Sequence, residues 1–250
     1  AWEITGDAER FLTLAGDFLR ARPADNTVLL TIIDAELLHP TPGAMFGWHP
    51  AGGAFLRTPP YPPVISDMPP PAVRSLAGLL SAGALPGVIG PDAAAREFSA
   101  AWEEHTGGSA RALDGQRLYR LGTLVPPEPH PAGAARVATG ADRALLLAWM
   151  TAFLREVRDT HLDPAEFVDD RLSYGGFRLW EEAGRAVAMA ALTRPTTGMV
   201  RVQAVYTPPG ERRRGFAGAL TVAVSRAARE AGALEVVLFT NVLNPTSNAL

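Results

Sequence analysis

Val205-Tyr-Thr-Pro-Pro-Gly-Glu-Arg-Arg-Arg-Gly-Phe-Ala-Gly-Ala-Leu220 decides how the rest of the chain is read. It opens as the end of a strand. From Met199 to Tyr206 the residues alternate, with Val200, Val202, Ala204 and Tyr206 expected on one face and Arg201, Gln203 and Val205 on the other. It closes as a helix, in which Phe216, Leu220, Val224, Ala227 and Ala231 recur at helical spacing. Between the two lie Arg212, Arg213 and Arg214, with the small residues Gly215 and Ala217 behind them. A helix that starts after such a turn leaves its first N–H groups without intrahelical acceptors. The converging donors and the positive end of the helix dipole together make an anion site. Hydrogen bonds to a charged acceptor contribute about 1.5–3 kcal/mol each, so a few of them hold a pyrophosphate without a metal.

Downstream, Leu234 to Thr240 is nearly all apolar, the mark of a parallel strand buried on both faces. Asn244-Pro-Thr-Ser-Asn-Ala-Leu250 starts a further helix, with Asn244 as cap and Pro245 in its first turn. Upstream, 135–138 reads as a strand and 142–158 as a helix with Leu146, Trp149, Met150, Phe153 and Leu154 inward. Pro164 opens another helix, and 177–180 with 186–193 forms a hairpin across Glu181-Glu182-Ala183-Gly184, whose acids read as solvated. Val125 to Gly133 carries prolines at 126, 127, 129 and 131 and reads as a domain linker.

Before the linker the same order of elements is expected: helices at 6–20 and 23–38, a hairpin of 44–48 and 53–57, a piece at 61–66, a helix at 72–81, Val88-Ile89, a helix at 91–104, and a final strand at 117–121. Phe46-Gly-Trp48-His-Pro-Ala51-Gly52 matches Arg178-Leu-Trp180-Glu-Glu-Ala183-Gly184 at a constant offset, and Leu56-Arg-Thr-Pro59 echoes Leu192-Thr-Arg-Pro195 slightly out of step. A duplicated fold follows, with domains at 1–124 and 134–250 joined by 125–133. Where the second half has its arginine turn, the first has Met68-Pro-Pro-Pro-Ala-Val-Arg74. Proline carries no N–H, so the first half has no equivalent anion cradle.

The composition narrows the classes. The 250 residues are 47% hydrophobic and 20% charged, enough to bury real cores. A net charge of -3 argues against a nucleic-acid binder. No apolar run is long enough for a bilayer, and 1–20 lacks the pattern of a signal peptide, so a cytoplasmic protein is expected. Cysteine is absent, which removes disulfides, thiolate ligands and cysteine nucleophiles. Lysine is absent too, and with it Schiff-base chemistry and the P-loop lysine. The five histidines, at 39, 49, 105, 130 and 161, show no metal-ligand spacing, so no metal is expected. His161 with Asp163 and Glu166 reads as a solvated loop, and Trp48 and Trp180 as packing residues.

Arg212-x-x-Gly215-x-Ala217, set between a strand and an apolar helix and followed by Asn244, resembles the pyrophosphate signature of the GNAT superfamily of acetyl-CoA-dependent N-acetyltransferases. The likeness covers about 134–250 well and the first half weakly. It implies an α+β fold of two tandem domains, each a central mixed, mostly antiparallel sheet flanked by helices, the first degenerate. It implies that the backbone near Val205 and Thr207 parts from the neighbouring strand, pairs with the pantetheine of acetyl-CoA and polarises the thioester carbonyl. The N–H groups of Arg213, Arg214, Gly215, Ala217 and Gly218 would hold the pyrophosphate. The arginine side chains, Arg212 included, would face solvent and the ribose phosphate. Asn241, Asn244 and Ser247 join the same cofactor set.

The strand departs from the family at its base position. Arg201 and Gln203 stand where a Glu is often found, and neither is a base near neutral pH. The Tyr that usually serves as acid, and the last two strands, would fall past Leu250. The catalytic acid and base therefore stay unassigned. Two functions remain: acetyl transfer by direct attack of a primary amine, expected to be a small molecule, or a non-catalytic acyl-CoA sensor. A homodimer is compatible with either.

Overall fold

In a computed structural model of the chain, residues 1–113, 115–159 and 162–248 are described, with the backbone only at 246 and 247. The chain forms two compact units, Ala1–Gly115 and Gln116–Leu250, in an α+β architecture.

The first unit contains β1 (Glu3–Thr5), α1 (Ala8–Ala21), α2 (Thr27–Leu38), β2 (Met45–Trp48), β3 (Ala54–Arg57), β4 (Val64–Ile65), α3 (Pro70–Leu80) and α4 (Asp92–Thr106). Its antiparallel sheet runs β1-β2-β3-β4. Asp7 starts α1 by accepting from the N–H groups of Glu9 and Arg10, and Gly107, at φ +69°, ends α4. One side of the sheet buries Phe11, Leu19, Ile33 and Phe46 with α1 and α2; the other buries Phe55, Leu76 and Phe98 with α3 and α4. Each such side chain contributes about 1.5–3 kcal/mol by leaving water.

The second unit contains β5 (Gln116–Arg120), β6 (Ala134–Val137), α5 (Arg143–Val157), α6 (Pro164–Ser173), β7 (Phe177–Glu182), β8 (Arg185–Leu192), β9 (Met199–Tyr206), α7 (Phe216–Glu230), β10 (Glu235–Asn241) and α8 (Pro245–Asn248). The sheet order is β5-β10-β9-β8-β7-β6, with β9 and β10 parallel and the other pairs antiparallel. Helices α5 and α6 cover one face and α7 the other. Strand β8 is therefore buried on both sides, and Val187 to Ala191 are wholly inaccessible in an unbroken apolar run.

The duplication is visible in this order. Strand, two helices, three antiparallel strands and a helix recur, and where β10 runs parallel to β9 the first unit keeps a single parallel bridge, Val64 to Ile89. Trp48 pairs with Ala54, and Trp180 with Ala188, so the second hairpin is two residues longer, which accounts for part of the offset between Leu56 and Leu192.

Three expectations change. The strand Gln116–Arg120, read as the last of the first half, pairs with β10 across Gln116↔Asn241 and Arg120↔Val237. The division therefore lies at 115/116, and the proline-rich stretch lies inside the second unit. It runs beside α7, with Pro131 next to Gly215 and the Ala132 carbonyl accepting from Trp180 Nε1 at 2.9 Å. The short β1 carried no alternation long enough to be read. Lastly, the faces of β9 are not those of strict alternation. Val200, Val202 and Val205 pack on the α7 side, while Ala204 and Tyr206 pack on the α5–α6 side. A bulge is the cause: Ala204 has φ +46°, and the β8 register slips there between Met189 and Ala191. One extra residue reverses every side chain beyond it.

Candidate functional site

Strands β9 and β10 pair from Met199↔Glu235 to Val202↔Leu238 and then part, although β9 continues to Tyr206 and β10 to Asn241. Each stays paired on its outer side, β9 to β8 as far as Tyr206 and β10 to β5 as far as Asn241. The bulge at Ala204 sits at the fork and bends β9 away from its neighbour. The inner edges of Gln203–Tyr206 and Phe239–Asn241 thus line a wedge with backbone polar groups. Val205 lies within it. Thr207 follows at its mouth, its Oγ1 buried and without a partner among the described residues.

The arginine turn closes the wide end. Pro209–Glu211 makes one turn of 3₁₀ helix, Arg212 is extended, Arg213 adopts φ +63° and Gly215 φ +81°. The left-handed region suits glycine and costs a side-chain-bearing residue about 1–2 kcal/mol. The Ala219 N–H donates to the Gly215 carbonyl at 3.0 Å, opening the α7 ladder. The N–H groups of Phe216, Ala217 and Gly218 precede that bond and have no intrahelical acceptor. A Cβ at Gly215 would lie 3.7 Å from Pro131, in ordinary contact. This arrangement of free donors, helix dipole and orphaned hydroxyl fits an elongated phosphate-bearing ligand.

The arginines divide the work differently from the expectation. Arg212 donates from Nε to the Thr207 carbonyl at 2.8 Å and from Nη2 to Glu156 Oε1 at 2.6 Å. Arg214 reaches both oxygens of Glu182, at 2.6 and 2.8 Å, and Glu211 Oε2 at 2.6 Å. Glu211 in turn accepts from Arg185 at 2.7 Å. Arg212 and Arg214 therefore brace the turn against α5 and the β7–β8 hairpin, their charges already matched. Arg213 is exposed and has no side-chain partner among the described residues. The hairpin acids also change role: Glu182 anchors Arg214, and Glu181 pairs with Arg136. Arg136 also forks onto Asp142, with two contacts of 2.8 Å. That hydrogen bonding lowers the Asp142 carboxyl to about 2 and raises Arg136.

Beyond β10, the Asn244 N–H donates to the Asn241 carbonyl at 3.0 Å, bending the chain into α8. Ser247 lies in α8, and its side chain is outside the described set. Asn248, which no sequence pattern singled out, ties the region together. Its Nδ2 donates to the carbonyls of Asn241, Val242 and Asn244, and its Oδ1 accepts from Thr240 Oγ1 at 2.5 Å and Tyr119 Oη at 3.1 Å. Tyr119 comes from β5, so its proximity could not be seen without knowing where that strand pairs. Tyr119, Gly218, Leu238 and Asn248 border a cavity of about 470 Å³ lined by β5, α7 and β10.

On the opposite face, Gln203 Oε1 accepts from Arg171 Nη2 at 3.2 Å. Arg201 is buried beside Arg171 and Tyr174, and burial lowers its pKa to about 10, leaving it cationic at neutral pH. Among the described residues no group of three or more His, Asp or Glu side chains could hold a metal ion. His161 falls outside the described residues, while Asp163 caps α6 through the N–H groups of Ala165 and Glu166. Trp180 is buried, and Trp48 packs on Phe18. No described helix is long and apolar enough to cross a membrane.

Comparison with known proteins finds the same fold. A protein of solved structure from Drosophila matches over 99% of this chain and 92% of its own, with a TM-score of 0.67 at 13% identity, which shows a shared fold spanning both units. A predicted acetyltransferase from Clostridium acetobutylicum, solved with acetyl-CoA, covers 46% of this chain and 86% of its own at 20% identity and a TM-score of 0.39. A GNAT family acetyltransferase from Brucella melitensis, also with acetyl-CoA, covers 48% and 82% at 21% identity and a TM-score of 0.39. No curated protein sequence matches. Residues 143–250, within the second unit, match the model of the acetyltransferase (GNAT) family.

Proposed function

We propose that the second unit transfers an acetyl group from acetyl-CoA to a primary amine of a small molecule by direct attack. The parting of β9 and β10 in front of the free N–H groups of α7 carries this reading. Acetyl-CoA supplies a thioester whose carbonyl carbon accepts the amine nitrogen; the C–N bond forms, the C–S bond breaks, and the thiolate leaves with the proton the nitrogen gives up. The protein's part is to bind and orient. The inner edge of β9 around Val205 offers an added-strand partner for an amide-bearing chain. The N–H groups of Arg213, Gly215, Ala217 and Gly218 offer donors to phosphate, and exposed Arg213 offers a free positive charge nearby. Arg214 acts through its backbone, because its guanidinium is committed to Glu182 and Glu211. Asn241 and Asn244 shape the opposite lip.

A second reading is favoured by Arg201 and Gln203, which give β9 no side-chain base: an acyl-CoA sensor that binds without turnover. Melting the full chain with and without acetyl-CoA, followed by thiol release across a panel of amines, separates the two. Acetyl-CoA raising the melting temperature with amine-dependent thiol release supports transfer. Binding with no release from any amine supports the sensor. No rise in melting temperature removes both.

A further inference from the structure

On the α6 side of the second sheet, two arginines share one carboxylate. Arg171 Nη1 lies 3.0 Å from Asp170 Oδ2, and Arg194 Nη2 lies 3.2 Å from Asp170 Oδ1. Arg201 stands behind them on β9, only 8% exposed. Both outer guanidiniums are laid flat on rings: Arg171 Cζ is 3.8 Å from the centre of Phe167, and Arg194 Cζ is 3.9 Å from that of Tyr174. Tyr174 is itself fixed by a 2.8 Å bond from its hydroxyl to the Leu192 carbonyl. The planar forks are thus held in place before any ligand arrives, which cuts the ordering cost of binding.

Arg171 and Arg194 share the one carboxylate of Asp170. Arg171 Nε is buried without an acceptor among the described residues. The cluster remains approachable, with Arg194 and Asp170 about 40% exposed. It also borders the wedge, because Arg171 donates to Gln203, the first β9 residue past the last pair with β10.

We propose that Arg171 and Arg194 bind a carboxylate of the acceptor, so that the substrate class is an amine that also carries a carboxylate, as an amino acid does. Paired N–H groups of a guanidinium match the two oxygens of a carboxylate, and the stacked rings orient the fork. This rests on the acetyl-transfer reading above.

The test is calorimetric binding of product-like probes to the full chain, with and without CoA: N-acetylglycine and N-acetylphenylalanine, each against its own amide. The acids are expected to bind at least tenfold more tightly than the amides, and Arg194→Gln to erase most of that preference while Arg194→Lys keeps part of it. Equal binding of acid and amide, absence of binding by all four, or a preference untouched in Arg194→Gln overturns the proposal. The acid–amide comparison in the unsubstituted protein stands even if a variant folds poorly. Failure of acetyl-CoA to raise the melting temperature would instead sink the transfer reading, and the two outcomes are read in separate experiments.

Discussion

Replacing Arg213 or Arg214 by Gln separates binding from bracing. Arg214 makes three contacts of 2.6–2.8 Å with two carboxylates whose side chains are 21% and 14% exposed. Its loss strands Glu182, while Glu211 keeps Arg185 at 2.7 Å. Exposed ion pairs contribute about 0.2–1 kcal/mol each, and half-buried forks somewhat more. Arg214→Gln should therefore cost about 1–2 kcal/mol. For a unit of this size that is roughly 3–8 °C in melting temperature. Arg213→Gln removes a side chain with no partner among the described residues and should leave stability within about 0.5 kcal/mol. Its effect should fall on CoA affinity, which one charge near a phosphate changes by about three- to tenfold. Thermal melts and calorimetric titration with CoA give both quantities for both variants. If Arg213→Gln lowers the melting temperature as much as Arg214→Gln, or Arg214→Gln leaves it unchanged, the division into brace and ligand is wrong. In a double-mutant cycle, Arg214→Gln and Glu182→Gln should be non-additive by about 0.5–1.5 kcal/mol.

Gly215→Ala should cost about 1–2 kcal/mol through its φ of +81°, with no added clash because the new Cβ meets Pro131 at 3.7 Å, and urea midpoints check it. The Asp142 carboxyl is held at about 2 by Arg136, against an unfolded value near ~3.9, so its stabilisation is full above about pH 4 and fades as pH falls toward 2. Asp142→Asn should thus cost about 2 kcal/mol at pH 7 and little at pH 2, measured by urea unfolding at both values. Asn248→Ala removes the shared partner of Tyr119, Thr240 and three carbonyls; hydrogen exchange at residues 240–248 should quicken by about tenfold or more while α7 is unaffected.

The helices and hairpins were legible because their signals are local. Pro164 marks a helix start, and the arginine–glycine turn between strand and helix marks the cradle. The parting of β9 from β10 could be expected at Val205 and Thr207 only through a family likeness, but its cause, the bulge at Ala204, was hidden. Alanine gives no hint of a positive φ, and the alternation of Val200, Val202 and Tyr206 reads cleanly until the strand is paired. Long-range partners were not legible at all. Nothing in Glu182 or Glu156 says that an arginine 32 or 56 residues later will claim it. The pairing of β5 with a strand more than a hundred residues downstream was equally invisible, so Tyr119 was assigned to the wrong unit.

That outer strand has a consequence for how the chain is made. Arg120 meets Val237 and Gln116 meets Asn241, separations of 117 and 125 residues. At a synthesis rate of ~5–20 residues per second, β5 leaves the ribosome about 6–25 s before β10 exists to receive it. Throughout that interval it is a bare edge with apolar Leu118 and Tyr119 at its centre. Arg117 and Arg120 flank them, and repulsion between such charges on neighbouring nascent chains keeps the waiting strand from pairing with a copy of itself.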